Sequence, residues 1–134
     1  MSSTLHLVKA MGNSRYESTA WFDSESVPGV RFAVSRMSLG RRIALTRKVR
    51  EIARNAEFLE AGQSAQEKME AALVLAEVER IYLEWGLVGI EGLEIDGQAA
   101  TPETAIERGP IRLAMEMLGR VKQEAGLSED ETKN

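Results

Sequence analysis

The sequence predicts a mainly α fold with small β elements: an α+β domain of three principal helices, a short N-terminal sheet and a central β-turn or hairpin module. Three observations carry this. Apolar residues recur at steps of three and four over long runs bounded by cap signals, whereas VRFAVS alternates with a period of two. Between them, Trp85 to Pro110 (WGLVGIEGLEIDGQAATPETAIERGP) interrupts the helical pattern with glycines, an Asp-Gly turn and a proline-led restart. At 134 residues the chain is one domain's worth, so residues 1–134 read as a single domain with a flexible segment 1–15 and a frayed acidic tail 127–134.

Taken in order, YESTAWFD (Tyr16 to Asp23) mixes aromatic and β-tolerant residues and reads as a first short strand. After the turn-like Ser26-Val27-Pro28-Gly29, Val30, Phe32 and Val34 share one face and Arg31, Ala33 and Ser35 the other, which is strand periodicity. Ser38 can cap the next helix and Gly62 can close it in a left-handed cap. Its apolar stripe is Leu45, Val49, Ile52, Ala56 and Leu59, with Arg47, Arg50 and Arg54 on the opposite face. A solvated basic face and a binding patch both fit those arginines.

Ser64-Ala-Gln-Glu67 has the capping-box form and opens a helix that Gly86 stops. Met69, Ala72, Leu73, Ala76 and Leu83 mark one side of it, and Val74, Val78, Ile81 and Trp85 nearly the opposite one. A helix apolar on two sides has to be covered on two sides, either inside the domain or by a partner. LVGIEGLEIDG then reads as a strand or hairpin turning at Asp96-Gly97. Thr101-Pro102 starts a short helix that ends near Gly109, and Pro110 restarts a last one. That last helix has Ile111, Ala114, Met117, Leu118 and Val121 as its buried stripe and Gly126 as its end.

Composition narrows the chemistry. The chain has no cysteine and one histidine, His6 in the N-terminal segment, so disulfides, thiolate metal sites and thiol nucleophiles are excluded and serine nucleophiles lack a base. Glu91, Glu94 and Asp96 do not have calcium-loop spacing, and the glycines at 86, 89, 92 and 97 form neither a Walker nor a dinucleotide fingerprint. No catalytic residue, cofactor or metal site is expected. No apolar run approaches a membrane span and no signal-peptide pattern is present, which places the expected location in the cytoplasm.

Charge is lopsided. Residues 1–54 carry +6 and residues 55–134 carry −10, within a net −4. Residues 36–54 hold seven Lys/Arg against Glu51, a pattern able to neutralise phosphates, although the acidic whole and the absence of a helix-turn-helix make nucleic acid a minor alternative. The asymmetry also suits head-to-tail contacts between copies or separate surfaces for differently charged partners.

The succession VPGVRFAVSRMSLGRRIALTRKVRE, EFLEAG, EVERIYLEWGLVGIEGLEIDGQAATPETAIERGP and the ending LSEDETKN resembles small proteins of bacteriophage and prophage tail modules, of the tail assembly chaperone type. The resemblance spans about Val27 to the end. It is most specific at Trp85-Gly86-Leu87, Ile95-Asp96-Gly97 with Thr101-Pro102-Glu103, and Gly109-Pro110. It implies a non-enzymatic helper in the bacterial host cytoplasm that binds the tape measure protein, tail tube subunits or both before the tube polymerises, with homo-oligomers as a further expectation. A structural virion tail component and a DNA-binding accessory protein are the alternatives. On this reading Val78, Ile81, Tyr82 and Trp85 form an apolar contact surface and Arg47, Arg50 and Arg54 a charged one, with core burial as the competing explanation of the first group.

Overall fold

The computed structural model describes residues 13–62 and 64–126, apart from the side chains of residues 55, 56 and 58–60. The chain is mainly helical with small antiparallel sheets, as the periodicities require. In order it runs β1 (Thr19–Asp23), β2 (Arg31–Ser35), α1 (Leu39–Glu60), α2 (Ala65–Gly86), β3 (Leu87–Glu91), β4 (Glu94–Ile95), β5 (Gln98–Ala99), α3 (Pro102–Arg108) and α4 (Ile111–Glu124). The expectations for the first dozen residues and for the tail 127–134 lie outside the described residues, as do Ala56 and Leu59 of the α1 stripe.

β2 is the middle strand of an antiparallel sheet ordered β1-β2-β3, with a bulge on the β2–β3 side at Ala33/Val34. Sequence reading had the first strand of the central module apart from the N-terminal sheet. The structure joins them, because β3 leaves α2 without a loop and pairs Phe32 with Ile90 and Ala33 with Gly89. On the inner face Val30, Phe32 and Val34 are fully buried beside Leu113, Met117 and Val121 of α4 and Val78, Tyr82 and Leu83 of α2. Burial of an aromatic such as Phe32 contributes roughly 2–3 kcal/mol.

On the outer face Trp21 stands opposite Ala33, and its ring would come within 3.1 Å of a Cβ placed on Gly89. The indole thus roofs a small-residue row, and the Arg31 guanidinium lies 5.0 Å above it while pairing with Asp23 and Glu91. The hairpin β4–β5 turns at Asp96 (φ 53°) and Gly97 (φ 81°), the positive-φ pair its dipeptide predicts.

Caps fall where the sequence puts them. Ser38 Oγ accepts from Arg41 N, Ser64 and Glu67 close a capping box, and Thr101 caps α3 behind Pro102. Gly62 is a correction: it is outside the left-handed region, and a Cβ there would collide with the Glu67 carboxylate that folds back onto Ser64. Ile111 is a second correction. It is 71% exposed, and Leu113 takes its place in the buried stripe of α4, because 113, 117 and 121 are spaced by four whereas 111 lies six residues before Met117, about 120° around the helix.

Candidate functional site

α1 and α2, each of 22 residues and therefore about 33 Å long, pack against one another as a helical hairpin. Leu45 is buried and Val49 and Ile52 half-buried on the α1 side of the seam, and Ala71, Val74, Val78, Ile81 and Trp85 supply the α2 side. At its C-terminal half α2 also meets α4, so closely that a Cβ on Gly86 would sit 2.5 Å from Val121 Cγ1. This is what buries Leu83.

At its N-terminal half, nothing in the described residues takes the place of α4. Between Ala65 and Glu77 the one buried residue is Ala71. Met69 is 72% and Leu73 61% exposed, and Ala72 and Ala76 are exposed between them. The stripe that ends under α4 at Leu83 therefore emerges into solvent as an apolar strip. Among the described residues, cover on this side comes from α4 alone, and α4 reaches only the C-terminal half.

The residues read from sequence as an apolar contact surface are placed differently. Val78 and Tyr82 are 8% and 6% exposed and belong to the core, while Ile81 and Trp85 are half-buried against it. Burial pushes the Tyr82 phenol up from its ordinary value. Trp85 is further covered by Arg41, whose guanidinium lies 4.4 Å above the ring and donates 2.8 Å to the Trp85 carbonyl. Arg47, Arg50 and Arg54 do stand together and exposed on the outer face of α1, without an ion pair among the described residues. Arg42, Ile43 and Thr46 continue that face into a shallow hollow with Arg47 and Arg50.

Two charged constellations are completed only by the fold, although Glu84, four residues on in the same helix, is a partner for Arg80 that the sequence offers. Arg80 bridges Glu84 and Glu107, which together raise its pKa and fasten α2 to α3 beside a groove of about 520 Å³. Glu116 on α4 accepts from Ser24 Oγ (2.7 Å), Ser26 Oγ (2.6 Å), Glu25 N (2.7 Å) and Ser26 N (3.3 Å). Desolvation pushes the Glu116 carboxyl up, but these four donors outweigh it and hold the pKa down at about 2. Arg112 adds a 3.0 Å bond to the Ser26 carbonyl, so both side chains lock the β1–β2 turn to α4.

Among the described residues no group of three or more His, Cys, Asp or Glu side chains is placed to hold a metal ion. No helix among them is long and apolar enough to cross a membrane. Comparison with protein-family models, with curated proteins and with solved structures finds no match for this chain.

Proposed function

We propose that this protein is a non-enzymatic assembly factor, of the kind its sequence resembles: a phage tail assembly chaperone acting in the host cytoplasm. Its outward α2 face takes an apolar helical segment of the tape measure protein, and further surfaces engage tail tube subunits. The observation that carries the reading is the uncovered strip Met69, Ala72, Leu73 and Ala76. Apolar side chains at helical spacing on one helix face are what helix-in-groove recognition uses, and exposed apolar patches are characteristic of interaction sites. Co-expression tests it. The tape measure protein becomes soluble and co-purifies in the presence of this chain; insolubility with no co-purification rejects the reading.

A second reading, binding of a nucleic acid, draws on the exposed arginines at 47, 50 and 54. It requires association that weakens steeply with salt and disappears when all three are replaced. A flat titration at low salt removes it.

A further inference from the structure

Leu39, Ile43, Arg47, Arg50, Arg54 and Glu57 recur at steps of four and three along α1 and make one outward stripe, apolar at its start, basic through its middle and acidic at its end. Leu39 is 76% and Ile43 49% exposed, Arg42 widens the basic part, and none of these arginines has an ion pair among the described residues. Glu51 does not oppose them: it lines a hollow towards α2 with Lys48, Ile52, Val74 and Glu77.

The last described residues bring the chain to the start of this stripe. Glu124 at the end of α4 lines one hollow with Met37, Ser38, Leu39 and Arg42, Ala125 is buried, and Gly126 turns the backbone out of the helix at φ 75°. Residues 127–134, LSEDETKN, carry the complement of the stripe in the same order: Leu127, then Glu129, Asp130 and Glu131, then Lys133. We infer that this segment docks along the outward face of α1 in place of the frayed end its composition suggests. Leu127 lies against Leu39 and Ile43, the three acids beside Arg47 and Arg50, and Lys133 opposite Glu57.

The lengths agree. At about 3.4 Å per extended residue the acids fall about 10–17 Å beyond Gly126 and Lys133 about 24 Å beyond it. At 1.5 Å per helical residue Arg47 and Arg50 lie about 12 and 17 Å beyond Leu39, and Glu57 about 27 Å beyond it. Surface ion pairs are individually weak and screened by salt, so the contact is strongest at low ionic strength. An anionic partner, a nucleic acid included, reaches these arginines only by displacing the segment.

The chain has no cysteine, so Thr132→Cys provides a single attachment site for a nitroxide spin label in the full chain. At low ionic strength the label broadens the amide signals of α1 between Arg47 and Arg54, and the broadening is lost at about 1 M salt, where the screening length is about 3 Å. Glu129→Lys, Asp130→Lys and Glu131→Lys together abolish it, with unchanged far-UV circular dichroism. Adding Arg47→Glu, Arg50→Glu and Arg54→Glu to those three restores it, because both signs are then exchanged. Unbroadened α1 signals at low ionic strength overturn the inference, as does broadening that survives the three lysines or fails to return in the sixfold variant. So does broadening in a mixture where the label and the observed ¹⁵N amides are on different molecules, since that assigns the contact to a second copy. No tape measure protein or nucleic acid is present in this measurement, so its failure leaves both functional readings standing, and failure of either leaves the docked segment standing.

Discussion

Glu116 and Ser26 lie 90 residues apart in sequence, yet the Glu116 carboxylate accepts a 2.6 Å hydrogen bond from the Ser26 hydroxyl. Through this bond and its three companions the turn between β1 and β2 is held against the last helix, closing the domain from its first sheet element to its last described helix.

That lock is expected to make the fold acid-sensitive. The folded pKa of about 2 lies below the ordinary 4.5, so the carboxylate's contribution is complete above pH 4.5 and is lost as pH falls towards 2. After allowance for solvent screening it is worth about 1–2 kcal/mol. Glu116→Gln should lower stability by that amount at pH 7 and by much less at pH 2, as read by urea unfolding at the two pH values.

The two sides of α2 should respond oppositely to mutation. Tyr82→Ala removes a buried ring from the core and is expected to cost about 3–5 kcal/mol. Leu73→Ala, on the exposed strip, should leave the melting temperature within a degree or two, since exposed substitutions change stability by less than about 0.5 kcal/mol. Thermal unfolding of both variants separates core from surface on this helix.

Gly92 should not tolerate a side chain. It sits at φ +84° and a Cβ there would run into the Gly29 carbonyl, itself in a positive-φ turn at +90°. Gly92→Ala is expected to destabilise by more than about 1 kcal/mol, whereas Gly119→Ala, on a helix with open space around it, should stabilise by roughly 0.5–1 kcal/mol. Chemical denaturation of the two variants gives the contrast directly.

Much of the fold is legible in the sequence because it is locally specified. Ser64 with Glu67, Thr101 with Pro102, and Asp96-Gly97 each impose a local geometry, and each lies where its chemistry puts it. What was not legible is what covers what. The helical wheel of α2 shows two apolar faces but not which of them α1 and α4 reach, so Val78 and Tyr82 read as surface candidates when they are core. Met69 and Leu73 read as a face covered either inside the domain or by a partner, and among the described residues nothing covers them. Glu116 gave no signal, because its partners are 90 and more residues away. The arginines on α1 were legible as a face, since an opposite apolar stripe fixes their direction.

Replacing Arg47, Arg50 and Arg54 together by glutamine is expected to leave the fold intact, because these side chains are exposed and make no ion pairs among the described residues. Tape measure binding through α2 should survive it. Circular dichroism and co-purification of the triple variant check both statements.

The central claim is that the exposed face of α2 is the docking surface, and its most direct measurement is co-purification of the tape measure protein with wild-type chain and with Leu73→Glu. The account predicts that the wild type retains the partner and that Leu73→Glu loses it at unchanged helicity and melting temperature. Equal recovery with both proteins, or with neither, would contradict it.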